Sequence, residues 1–409
     1  MLDIVKIFTP DLDVGMHVSS LDRPWLETPF SIQGFRLRNQ EEIDQLRGFC
    51  RFVYVDTVKS AQDEVVLRRK VRNRPSLSNQ EIFHDRTLKP YRDGATWDEE
   101  YPVAQAAVTA LAEGIESIFD DAIKGKSLDV VRVKRSVEPM IDSISRNPDA
   151  CIWLARMKQE DQYTYQHSLG CSIWAVALGR QIGLPKSDLR TLAIGGLLFD
   201  VGKLRVAPDL LKSDRKLTDE EFAQLRNHVQ HGVEMIKESG LMNADVIAMV
   251  EHHHERHDGS GYPRGLSGDE IPVFARIASV VDCYDAITSH RSYARAIPPS
   301  TAIKMLYEWK DIDFQGELIE QFIQAVGIYP AGTLVELTTA EVGVVIAEYR
   351  TRRLRPKVMV LLDSDKQPCD EIKTIDLQHE KTTANGERLD ILNSLEPDAY
   401  GIDMTAIQL

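Results

Sequence analysis

From about Tyr101 to Gly327, apolar residues recur every three or four positions. The clearest stretches are "VAQAAVTALAEGIESIF", "DLRTLAIGGLLF", "EEFAQLRNHVQHGVEMI", "ADVIAMVEHHH" and "VFARIASVVDCYDAI". That spacing predicts amphipathic or buried helices and an all-helical core of some 200 residues. Local chemistry marks two of the starts: Thr218 with Glu221 forms a capping-box pattern, and Pro272 suits a first helical turn. Before this core, residues 1–60 mix short strand-like runs such as "FVYVD" with one helix around "NQEEIDQLRG", where Gly48 follows the last periodic residue. They predict a small α+β domain. Residues 61–100 are polar and aperiodic, with Pro75 and Pro90, and are expected as a linker. After "GIYPAGT", the runs "TLVELTTAEVGVVIAEYR" and "KVMVLLDSD" predict a hairpin and a third strand, a β-rich extension over 329–409. The expected fold is mainly α, with the helical domain spanning 101–328.

Composition narrows the partners. The 409 residues carry 49 basic and 63 acidic side chains, a net charge of −14, which argues against binding a nucleic-acid polymer by neutralising its backbone. A small anion in a local pocket stays open. The longest apolar run, Leu192 to Phe199, falls well short of the roughly 20 residues of a membrane span, and the N-terminus lacks the basic and apolar regions of a signal peptide. A cytoplasmic protein is expected, with no membrane partner. Cys50, Cys151, Cys171, Cys283 and Cys369 form no CxxC pair and are expected as free, buried thiols.

The helical domain concentrates His and Asp in a few places: His167, Asp200 in "FDVGK", His228 and His231, His252 to His254, and Asp282. Imidazole and carboxylate together suit Zn, Mn or Fe, and a carboxylate shared by two metals holds them close enough for one bridging hydroxide to attack a phosphodiester. Each also has a plainer role. A lone His such as His167 is more often a hydrogen-bonded core residue; His231 and His257 read as solvated bystanders, and Asp285 as a structural carboxylate buried beside an arginine. The continuation "HHERHDGSGYPRGLSGDEIP" weighs against the plain reading. Gly259, Gly261 and Gly265, with Tyr262 and Pro263 between them, make a tight, rigid loop that brings backbone donors close to a ligand.

That block, followed by "ARIASVVDCYDAITSHRSYARA" and preceded by "FDVGKLRVAPDLLKSDRKLTDEEFAQLRNHVQHG", closely resembles the HD-GYP domain, the metal-dependent phosphodiesterase domain of bacterial cyclic di-GMP signalling. The likeness runs from about residue 155 to 328. "KIFTPDLDVGMHVSSLDRPWLETPFSI" looks like the small domain of unknown function that often precedes such domains, and "VGIYPAGTLVELTTAEVGVVIAEY" like the β extension that often follows. The resemblance implies two metal sites. The first would be held by His167, the residue at 199, Asp200 and Asp282. The second would share Asp200 and add His228, His253 and His254.

Phe199 stands where the family carries the histidine of its HD pair. A phenyl ring donates no lone pair, so the resemblance implies one intact and one impaired site. Tyr163 stands where some members carry a glutamate for a third metal, so no trinuclear centre is expected. Asp200 and Lys203 are the catalytic residues the resemblance implies, with Lys203 as a point charge for phosphate. Gly261, Tyr262, Pro263, Arg291 and Tyr293 are the further ligand-binding residues; Ala294 replaces a basic residue common in the family, and Arg295 lies one place late. The ligand implied is cyclic di-GMP; a signalling protein and a second copy of the chain are the protein partners left open. Three functions follow for test: a cyclic di-GMP phosphodiesterase weakened at one site, a non-hydrolysing receptor or adaptor, and a generic HD phosphohydrolase, which leaves the GYP block without purpose.

Overall fold

The computed structural model describes residues 4–22, 28–30, 34–60, 76–156, 163–211, 213, 215, 217–289, 296–349, 354–383, 385–397 and 399–402. The chain falls into two units, 1–77 and 78–409.

In the first unit, β1 (Ile4–Phe8), β2 (His17–Leu21), β3 (Phe35–Arg36) and β4 (Phe52–Asp56) form an antiparallel sheet in the order β1-β4-β2-β3, and α1 (Gln40–Phe49) packs its Ile43 and Leu46 into the sheet's core. Asn39 caps α1 by accepting from the Glu42 N–H. The helix runs through Gly48 to Phe49 rather than stopping before it, and closes with the Cys50 N–H on the Leu46 carbonyl.

The second unit begins at α2 (Asn79–Ile82). It continues with α3 (Trp97–Ile123), α4 (Val130–Arg146), α5 (Pro148–Arg156), α6 (Tyr163–Ile182), α7 (Lys186–Leu198), α8 (Pro208–Leu211), α9 (Asp219–Arg226), α10 (His228–Glu238), α11 (Ala244–His252), α12 (Val273–Thr288), α13 (Pro299–Glu308) and α14 (Gly316–Val326). α6 and α7 are apolar nearly all round and are covered by their neighbours. The Thr218–Glu221 capping box forms at the start of α9, and Pro272 sits one residue before α12.

Residues 78–96, expected as the end of a linker, instead pack onto the helices. Phe83 is fully buried; Arg86 reaches Asp188 at the start of α7 (2.8 Å), Asp245 at the start of α11 (3.0 Å) and the ring of Phe274 at the start of α12 (5.8 Å); the Tyr91 hydroxyl donates to the Leu184 carbonyl at 2.9 Å. Single anchors without period leave no helix or strand pattern in the sequence. The remainder of the expected linker, 61–75, lies outside the described residues.

β5 (Leu334–Leu337), β6 (Val342–Ala347), β7 (Lys357–Leu362), β8 (Pro368–Asp376) and β9 (Ile391–Ser394) form a five-stranded antiparallel sheet in the order β8-β7-β6-β5-β9. Its Leu334, Val344, Ile346 and Met359 join the helical core. The sheet thus has two strands more than the sequence pattern predicted. Cys50, Cys151 and Cys171 are buried and Cys283 and Cys369 half-buried, all as free thiols. Among the described residues, no helix is long and apolar enough to cross a membrane.

Candidate metal centre

α7 carries its buried face to Leu198, and Phe199 closes the helix with its N–H on the Gly195 carbonyl. The chain then leaves helical geometry at Asp200 and makes a 3-10 turn over Val201–Arg205. Gly202 is what lets this turn lie on α10: a Cβ there would stand 1.9 Å from the His228 carbonyl oxygen and 2.4 Å from the Gly232 nitrogen. The close approach sets Asp200 Oδ1 3.4 Å from His228 Nε2. From the far side, α11 ends at His252, so that His253 and His254 turn into the same space. His253 Nε2 lies 3.5 Å from Asp200 Oδ1, and His254 Nε2 lies 3.2 Å from His228 Nε2.

The tautomers follow from the outer partners. His228 Nδ1–H donates to the Leu225 carbonyl at 2.7 Å, and His253 Nδ1–H to the Val250 carbonyl at 3.1 Å. Both Nε2 atoms therefore present bare lone pairs to Asp200 Oδ1, which is itself buried without a hydrogen bond. Four donor atoms, from Asp200, His228, His253 and His254, converge within 4.8 Å of one another. Lone pairs facing lone pairs in a dry pocket repel unless a cation lies between them, so the donor set fits a divalent metal. The electrostatics agree. Burial pushes His228 down to about 4 and His254 well below the usual imidazole range, which keeps both neutral as ligands require. Burial alone would raise the Asp200 carboxyl; Lys203, whose ammonium pairs with Asp200 Oδ2, and then His167 hold it well below the usual range.

The set implied for the first site also gathers, without its missing member. His167 Nε2 lies 3.1 Å from Asp282 Oδ1 and 3.5 Å from Asp200 Oδ2. Phe199 is fully buried beside them, its ring centre 6.1 Å from that of His167. Asp285 is a buried carboxylate, as the sequence suggested. Its described partners are His167 Nδ1 (2.8 Å), Trp174 Nε1 (3.0 Å) and Ser289 Oγ (3.3 Å), so it orients the His167 ring from behind. His231 stays outside the cluster beside Glu234.

The glycine-rich loop folds back on the end of α11. A Cβ on Gly261 would stand 2.4 Å from the Arg256 nitrogen and 2.5 Å from the His254 carbonyl oxygen. The Tyr262–Pro263 peptide is cis, and the Tyr262 ring stacks on His254 at 4.6 Å. Sequence reasoning missed the residue that holds this loop. Glu255 is 1% exposed, and its carboxylate accepts from the backbone N–H groups of Arg264 (2.8 Å) and Leu266 (3.1 Å). It also missed Arg226, whose guanidinium lies 4.6 Å from the Tyr262 ring centre. A buried glutamate directly after the histidine run was the one available signal for the first, and the second had none. Arg291, Tyr293, Ala294 and Arg295 lie outside the described residues, as does the side chain of Tyr163.

Comparison with known proteins matches an HD domain to residues 140–316, a domain of unknown function to 4–133 and a KOW domain associated with HD domains to 334–384. A cyclic di-GMP phosphodiesterase of Pseudomonas aeruginosa, PA4108, is 33% identical over 362 residues, which cover 88% of this chain and 85% of the relative. The cyclic di-GMP phosphodiesterase response regulator RpfG of Xanthomonas campestris is 33% identical over 148 residues, 36% of this chain and 39% of that one. Among solved structures, Bd1817 from Bdellovibrio bacteriovorus aligns with a TM-score of 0.46 at 18% identity, covering 78% of this chain and 98% of its own. With an HD domain in its helical core and a relative alike over most of both chains, the protein belongs to the HD-GYP family.

Proposed function

We propose that this protein hydrolyses cyclic di-GMP slowly, with one divalent cation (Fe, Mn or Zn) held by Asp200, His228, His253 and His254. The observation that carries the reading is the buried, unpartnered Asp200 Oδ1 facing the bare Nε2 atoms of His228 and His253. When bound, the metal supplies Lewis acidity toward the phosphodiester and acidifies water. The chain's own residues do the rest. The Lys203 ammonium, about a quarter exposed, turns from Asp200 to a phosphate oxygen and steadies its charge. Gly261, Tyr262 and Pro263 form a fixed wall beside His254, which orients the nucleotide and restricts water. His167 Nε2, between Asp282 and Asp200, holds a proton at the edge of the site. Water oxygen joins phosphorus, the ester oxygen departs with a proton, and a linear dinucleotide is the first product. The reading places the protein in the cytoplasm, where this dinucleotide signals.

Phe199 favours a second reading, a receptor that binds cyclic di-GMP without consuming it. Its ring fills the place of a ligand and removes the second charge that a two-metal reaction uses. One experiment separates the two. Protein purified without oxygen is assayed for metal per chain, for cyclic di-GMP binding and for release of linear dinucleotide or GMP. About one metal per chain with steady release supports the enzyme. Binding with a raised melting temperature and no release selects the receptor. Absence of both binding and release sinks both readings.

A further inference from the structure

Cyclic di-GMP carries two phosphates, one negative charge on each. The metal cluster and Lys203 meet one of them. The cluster is otherwise rich in carboxylate, with Asp200, Asp282 and Asp285 close together, so the second phosphate requires a cation from elsewhere. Most arginines described in this region are already engaged. Arg205 is paired with Glu234 and Glu238, Arg215 with Glu221, Arg264 with Glu251, and Arg276 with Asp269.

Arg226 is different. It is the last residue of α9, exposed to solvent, and among the described residues no ion pair or side-chain hydrogen bond reaches it. Its guanidinium is nevertheless held in place. Cζ lies 4.5 Å from the ring centre of Phe222, one turn earlier on the same helix, and 4.6 Å from the ring centre of Tyr262, which stacks in turn on the metal-cluster histidine His254. Aromatic contacts take up the faces of a guanidinium and leave its N–H edge free for an acceptor. An arginine fixed by two rings and lacking a carboxylate, in an acidic chain and two residues before a metal-cluster histidine, is a preorganised anion clamp.

We infer that Arg226 is a nucleotide-binding residue that forks to the unreacting phosphate of the cyclic dinucleotide, an inference that rests on the proposed ligand. The Tyr262 ring then has two roles: it stacks on His254, and it seats the arginine that receives the far side of the ligand.

The test is calorimetric titration of the full, metal-loaded chain with cyclic di-GMP at several salt concentrations, on wild type, Arg226→Gln and Arg226→Lys, with metal content and melting temperature measured on each. Arg226→Gln is expected to weaken binding about 10- to 100-fold, with metal content and melting temperature unchanged and a shallower loss of affinity with salt. Arg226→Lys, which keeps the charge without the fork, should recover part of the loss. Wild-type binding with Arg226→Gln within twofold of it overturns this inference alone. So does an Arg226→Gln protein that loses metal and melting temperature together, which marks a purely structural role. If the wild type binds no cyclic di-GMP, the proposed function fails and this inference with it.

Discussion

Phe199 packs its ring against that of His253, centre to centre 4.7 Å and tilted by 30°. Phe199 thus supports a donor of the candidate metal cluster, and its replacement touches both residues.

Phe199→His is therefore expected to act in two directions. In metal-free protein it costs about 2 kcal/mol of stability, because a polar ring enters a space filled by a fully buried phenyl. With metal supplied, the new imidazole joins His167, Asp200 and Asp282, and metal content rises from about one ion per chain to about two, with turnover rising alongside. Elemental analysis checks the first figure and a product assay the second. A variant that stays at one ion shows that His167 and its carboxylates have settled into an arrangement no longer fit for metal.

Gly202→Ala places a methyl where the His228 carbonyl oxygen already lies. The turn has to lift from α10, Asp200 moves from His228, and the expected loss is about 3 kcal/mol with metal content below half of wild type. Denaturant unfolding and elemental analysis read the two effects. Wild-type metal content in a destabilised Gly202→Ala protein would separate the packing of the turn from the geometry of the donors.

Arg86→Ala leaves Asp188 and Asp245 without their shared cation, and burial already raises the Asp188 carboxyl. Because Arg86 is a quarter exposed, the expected loss is about 2 kcal/mol, below the range for a fully buried pair. Arg86→Lys should restore less than half, since an ammonium cannot fork to two carboxylates and lie on Phe274 as well. Chemical denaturation of the three proteins side by side tests the order.

Glu221 gives a pH prediction. Hydrogen bonds from Arg215, and then the Thr218 backbone, hold its carboxyl down to about 2 from an ordinary 4.5. The unfolded chain takes up that proton first as pH falls, so the group's contribution is full above about 4.5 and is lost on the way to 2. The melting-temperature gap between wild type and Glu221→Gln should be constant from pH 7 to 5, shrink below about 4.5 and be nearly gone at about 2. A gap undiminished at pH 2 would assign the effect to shape rather than charge.

The helices were legible because burial imposes a three- and four-residue period, and α7, α10 and α12 show it plainly. The donors Asp200, His228, His253 and His254 were legible through a family motif, since nothing in spacing alone brings Asp200 beside His253. The residues that hold those donors were not legible. Arg86 meets Asp245 at 159 positions' separation, and Glu255 holds the loop through backbone N–H groups, so neither contact leaves a period or a pattern in the chain. The strands β8 and β9 escaped for a related reason: charged and polar residues dominate β8, and β9 is four residues with its two apolar side chains adjacent, so hydrophobic alternation is faint.

Glu255 fixes the glycine-rich loop from beneath through main-chain groups. Those contacts do not involve the side chains that the loop displays at Ser260, Arg264 or Leu266. Such a loop works like a printing plate whose backing is permanent and whose type is movable. Rim residues can be exchanged one at a time while the Glu255 contacts that hold the loop stay in place, whereas a change at position 255 would disturb rim and frame together.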